Sequence, residues 1–140
     1  MKDTKVASVQ FEHAPGDKQA NLDKVRRFTA ESAEQGVELV VFPEMCITGY
    51  WHLRDLSREQ LLALAEPVPA GPTTQELLRL AKAHNLSLGA GLPAISAEGE
   101  MFNSYVVAMP DGRPVCHRKP PAFGNETIAK IASATGRASV

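Results

Sequence analysis

The sequence predicts an α/β fold whose sheet starts with parallel pairing and continues with antiparallel pairing. Three observations lead there. Strand, helix and strand follow one another within about the first 40 residues, the spacing of a βαβ unit. The second of those strands is almost continuously apolar, which signals burial on both faces as in a parallel sheet. The last strands are joined by links short enough to be hairpins, which reverse the chain direction.

Taken in order, residues 6–11 (VASVQF) form the first expected strand, with Val and Phe in a run without charge. Asp17 can cap a helix running to about Gln35, along which Leu22, Val25 and Phe28 recur near helical spacing. Gly36 sits where a left-handed C-terminal cap belongs. Residues 37–42 form the second strand, apolar except for Glu38. Ser57, with Gln60 three residues on, opens a further helix that Pro67 should stop. Thr73, with Glu76 three residues on, opens another that runs to His84 and Asn85. The connector between them, EPVPAGP, is expected to be a stiff surface segment. Residues 86–95, 101–109 and 115–118 then read as strands, linked by SAEGE and PDGRP. The final stretch, IAKIASATGRASV, has little apolar mass and reads as a weak helix or a frayed tail.

The chain of 140 residues is the length of one domain, large enough to bury roughly two-thirds of its unfolded surface. Its net charge is −1, with acidic and basic residues intermingled, so neither nucleic acid nor an anionic membrane surface is an expected partner. No uncharged run reaches the roughly 20 residues of a membrane span. The opening MKDTKVASVQF lacks the apolar core of a secretion signal. Two cysteines, Cys46 and Cys116, make no disulfide framework and have no CxxC spacing. A reducing cytoplasm is the expected location. His13, His52, His84 and His117 show no metal-ligand spacing.

Chemistry is expected where the second strand ends, because open α/β sheets bind ligands beyond the carboxyl ends of their strands. Glu44 stands there, in LVVFPEMCITGY. On position alone a solvated loop carboxylate is an equal reading. Were the loop buried, the pKa of Glu44 would rise and it could act as a general base. A second cluster, CHRKPPAFGNE, holds Lys119 extended before a proline. A lysine fixed at a strand end can hold an oxyanion as a point charge, although alone it reads more simply as a surface lysine. Glu126 is, alone, a polar loop residue.

Together FPEMCITGY, the GAG-x-P strand at residues 89–93, the FNSYVVAMPDG hairpin, and HRK with a Glu seven residues past the lysine resemble the nitrilase superfamily of carbon–nitrogen hydrolases. VASVQF and NLDKV agree with it, so the resemblance spans residues 5 to about 128. It implies the N-terminal portion of a four-layer α-β-β-α sandwich, a mixed sheet with helices on one face. It also implies hydrolysis of small nitrile, amide or N-carbamoyl compounds without metal or organic cofactor. By the motif Glu44 becomes the general base and Lys119 the cation that stabilises the tetrahedral intermediate, with Glu126 an assisting glutamate. A thiolate attacks the nitrile or amide carbon and gives a covalent intermediate.

The family's nucleophilic cysteine lies on a later strand, and no such segment occurs here. Cys46 shares the FPE loop and Cys116 lies in a strand, and both are expected to be structural. Pro121 and Gly124 stand where relatives often carry other residues, and the family pattern is left near residue 128. The expectation is therefore an incomplete domain over residues 1–128, a divergent tail over 129–140, and no activity from the chain alone. The alternative is a non-catalytic module that self-associates, because half of such a sandwich exposes an apolar sheet face. A homo-oligomer is expected on the same ground. A flavodoxin-like binding domain ranks below both, since residues 12–18 contain no glycine-rich phosphate loop. Asn103 and Ser104 match a hairpin position of the family and are expected to support a turn. Tyr50 and Trp51 could line a pocket beside Glu44 or pack a helix start, with Tyr50 the better pocket candidate.

Overall fold

The computed structural model describes residues 3–120. Glu126 and the tail at 129–140 lie outside them. Strands β1 (Val6–Ser8), β2 (Leu39–Val41), β3 (Ser87–Ile95), β4 (Met101–Ala108) and β5 (Pro114–Lys119) form one sheet in the order β1-β2-β3-β4-β5. β1 and β2 pair in parallel, as do β2 and β3, while β3–β4 and β4–β5 are antiparallel. The parallel-then-antiparallel reading of the sequence therefore holds.

The helix α1 (Lys18–Glu34) starts at Asp17, whose carboxylate accepts from the Ala20 N–H at 2.9 Å. It ends at Gln35, and Gly36 follows with φ +71°, the left-handed position that lacks a Cβ penalty. The helix α2 (Arg58–Leu64) opens with the full capping box of Ser57 and Gln60. It stops three residues before Pro67, because residue 66 is drawn out to bridge the end of β3: the Glu66 N–H donates to Pro93 O at 3.1 Å and the Ile95 N–H to Glu66 O at 3.0 Å. The helix α3 (Pro72–His84) starts two residues earlier than expected, with Gly71 as N-cap and Pro72 in its first turn. Thr73 does not cap it. Its hydroxyl donates to the buried Glu66 carboxylate at 2.8 Å instead. A short 3₁₀ turn, His52–Asp55, was not foreseen.

The two N-terminal strands are shorter than their apolar runs. β1 ends at Ser8 and β2 at Val41, although the Val9 N–H still reaches Val41 O at 2.9 Å. Apolar runs mark burial rather than strand limits, and Phe42 remains in the core after β2 has ended.

Alternation along the strands sorts the sheet into two faces. One side presents Val40, Leu88, Ala90, Leu92, Ala94, Val106 and Ala108, which pack with Leu22 and Val25 of α1 and Leu77, Leu80 and Ala81 of α3. The opposite side presents Gly89, Gly91 and Pro93 of β3 across from Val107, Tyr105 and Asn103 of β4. Val115, His117 and Lys119 continue that row on β5. On this second side Val6 and Val115 are 54% and 52% exposed. No helix among the described residues is long and apolar enough to cross a membrane.

Candidate active site

The loop after β2 is shaped by a backbone crossing. Phe42 keeps one more sheet bond, its N–H donating to Gly89 O at 2.8 Å. Three residues on, Met45 takes φ +54°, a conformation rare for a residue with a side chain. Its fully buried side chain is gripped by Leu53 and Leu61, and the Ile47 N–H donates to Gly91 O at 3.2 Å. The chain thus folds back over Gly91 so tightly that a Cβ there would lie 2.3 Å from Met45 N. A buried Asn21 secures the far end, donating to Ile47 O at 3.0 Å and Ala14 O at 2.8 Å. These contacts turn the Glu44 side chain outward, off the end of the strand.

Lys119, the last residue of β5, meets it there. Its Nζ lies 2.6 Å from Glu44 Oε1, although the two residues are separated by most of the chain. Asn103 Nδ2 donates to the same Oε1. Glu44 and Lys119 keep 42% and 50% of their side-chain surface exposed. Although Met45 to Thr48 of the same loop are buried, the carboxylate itself is not, and the condition for a raised pKa is not met. The hydrogen bond from Lys119 leads, burial opposes and the Asn103 amide assists, leaving the Glu44 carboxyl below its ordinary range. It is a carboxylate at neutral pH.

Asn103 is not a turn residue. It lies inside β4, 2% exposed, directly across from Lys119. Tyr105, two residues on, was not singled out from the sequence at all. Its ring covers Gly89 and its hydroxyl donates to Phe42 O at 2.7 Å, bracing the start of the Glu44 loop. The signal for both was the alternation in FNSYVVA, which puts positions 103 and 105 on one face. Tyr50 packs with Met45, Leu53 and Leu61 and lines a small cleft of about 250 Å³ with Glu12, His13 and Trp51. Neither Glu44 nor Lys119 lines that cleft.

The cysteines differ. Cys46 is fully buried, and burial pushes its thiol up to about 12, against weak help from Gly91 O. It is a packed side chain, not an available thiolate. Cys116 lies in β5 as expected but faces solvent. A thiol reagent such as Ellman's is therefore expected to titrate one cysteine, Cys116, in the native protein and a second only on unfolding. Equal native reactivity of Cys116→Ser and wild type would contradict this assignment.

Residues 5–119 match the carbon-nitrogen hydrolase family. The chain belongs to that family. A nitrilase of Pyrococcus abyssi is 32% identical over 123 residues, covering 87% of this chain and 45% of its own length. A (R)-stereoselective amidase of a Pseudomonas species is 29% identical over 122 residues, 87% of this chain and 42% of that one. Among solved structures, a CN-hydrolase superfamily protein of Xanthomonas campestris superposes with TM-score 0.73 at 24% identity, over 88% of this chain and 43% of that chain. An N-terminal amidase superposes with TM-score 0.71 at 20% identity, over 83% and 28%. The chain spans less than half the length of these relatives.

Proposed function

We propose that the chain supplies the glutamate–lysine half of a carbon–nitrogen hydrolase site acting on a small nitrile, amide or N-carbamoyl compound. One observation supports this above the others: the 2.6 Å contact between Lys119 Nζ and Glu44 Oε1 at the carboxyl end of the parallel strands. In this reading Glu44, held ionised, takes the proton from an attacking thiol and later from water. The thiolate adds to the carbon, and Lys119 meets the charge that develops on oxygen or nitrogen. The proton taken by Glu44 passes to the nitrogen, which leaves as ammonia or an amine, from a nitrile only after a water has added to the thioimidate. Water then cleaves the thioester. In this reading the attacking thiol is neither Cys46, which is buried with its thiol pushed up to about 12, nor Cys116, which alternates to the opposite face of β5 from Lys119. Glu126 would assist, and no metal or organic cofactor takes part.

The test joins the chain to the C-terminal half of the Pyrococcus nitrilase and assays nitriles, amides and N-carbamoyl compounds. Expected is turnover that falls by about 10²-fold or more in Glu44→Gln and in Lys119→Met, with no turnover by the chain alone. Turnover indifferent to both substitutions overturns the assignment. Activity of the unjoined chain that disappears in Cys46→Ala would reassign the nucleophile.

A second reading, a self-associating module without catalysis, is favoured by the sheet face opposite the helices, where Val6 and Val115 are exposed beside half-buried Leu39, Val41 and Val107. A second copy laid face to face would cover it. Light scattering at high concentration is expected to give a dimer mass, and a monomer that melts cooperatively excludes this reading.

A further inference from the structure

Both hydrogen bonds received by the Glu44 carboxylate end on the same oxygen. Lys119 Nζ approaches Oε1 at 2.6 Å, and Asn103 Nδ2 donates to Oε1 as well. The pairing of β4 with β5 brings the two donors together. Asn103 and Lys119 are direct cross-strand partners, so their side chains rise from the same face about 5 Å apart and converge on whatever stands in front of them. Asn103 is held in place by its burial, at 2% exposure, whereas Lys119 is half exposed on a flexible stem.

We propose that Asn103 is the positioning residue of this site: its amide anchors Oε1 of Glu44 beside Lys119 and thereby leaves Oε2 as the oxygen that accepts a proton. This deepens the hydrolase reading and rests on it. An ammonium alone can slide between the two carboxylate oxygens, because its donors rotate freely. A buried amide cannot follow, so it fixes the carboxylate plane. The division of labour then has a chemical sense. Oε1 stays paired with the cation, and Oε2 is turned towards the incoming thiol or water. Asn103 touches neither substrate nor thiol in this scheme and acts through Glu44.

The experiment needs no turnover, so it stands apart from the assay of the function. Glu carboxyl carbons are labelled with ¹³C in the full chain, the Glu44 signal is assigned from Glu44→Gln, and its titration is followed. Among the described residues the charged side chain hydrogen-bonded to Glu44 is Lys119. Asn103→Leu, close in shape, is expected to move the Glu44 midpoint upward by about half to one pH unit while the thermal melt stays cooperative. Asn103→Asp is expected to move it upward further, because two carboxylates then share one cation. Should Asn103→Leu fail to fold, Asn103→Ser, which removes the amide without adding a charge, decides in its place. A Glu44 midpoint unchanged in a folded Asn103 variant overturns the proposal even if the hydrolase assay succeeds. A midpoint shifted as expected, in a fusion that hydrolyses nothing, upholds the anchor while sinking the hydrolase reading.

Discussion

Glu66→Ala is expected to lower stability by about 3 kcal/mol, read by urea unfolding, and the melting temperature by about 10 °C. Glu66 is a carboxylate with 6% of its side chain exposed, sunk between α1, α2 and α3. Four groups justify it there. Lys18 Nζ lies 2.6 Å from Oε1, the Thr73 hydroxyl donates to the same oxygen at 2.8 Å, and the Thr73 N–H donates to Oε2 at 2.9 Å. The fourth is the N-terminus of α3, whose dipole favours an anion at that point. Gly71 is pressed against the carboxylate, so that a Cβ there would lie 2.9 Å from Oε2. Alanine would leave Lys18 with Leu64 O alone, at 3.1 Å, and the first turn of α3 without its acceptor. Lys18 keeps 28% exposure and can turn to water, which is why the expected loss sits at the lower end for a broken buried pair. Glu66→Gln, which keeps one acceptor oxygen, should lose about half as much. A loss below about 1 kcal/mol for alanine would show that both partners rehydrate freely.

Gly91→Ala is expected to cost about 2–4 kcal/mol and to separate Glu44 from Lys119. The added carbon would sit 2.3 Å from Met45 N and 3.0 Å from the Cα and carbonyl carbon of Glu44. All three are backbone atoms, so relief requires the 42–45 turn to lift from the sheet as a unit. Gly89→Ala serves as the comparison. Its Cβ would meet the Tyr105 ring at 2.7 Å, a side chain that can yield. The Gly89 variant should therefore lose less stability and keep Glu44 titrating low. Equal losses in the two variants would mean that the crossing over Gly91 has slack the structure does not show.

Much of this architecture could be read from the sequence because its determinants are local. The capping box of Ser57 and Gln60, the Asp17 cap and the Gly36 stop each lie within a few residues of the element they bound. The pair of Glu44 and Lys119 came from recognising a family pattern, since no periodicity links positions so distant. What escaped was non-local and polar. Glu66 looked like part of a stiff connector, because only the folded chain brings Lys18 and Thr73 to it. Asn103 looked like a turn residue because it adjoins a hairpin, yet the register of β4 against β5 sets it beside Lys119. Thr73 was misassigned as a cap for the same reason: its true acceptor is seven residues back in the chain. Strand limits were overdrawn at both N-terminal strands, where hydrophobic burial continues past the last ladder bond.

The β4–β5 turn carries a consequence for chemistry it never touches. Met109 donates its N–H to Arg113 O, and Gly112 closes the bend at φ +88°, so this tip determines which residue of HRK stands opposite Asn103. Inserting a single amino acid at the tip would rotate the outgoing strand by one side chain. The guanidinium of Arg118 would then face the carboxylate, and the ammonium would point towards the helices. Loop length at a solvent-exposed bend thus selects the cation offered at position 44, and a lineage could switch the site off there without altering any of its residues.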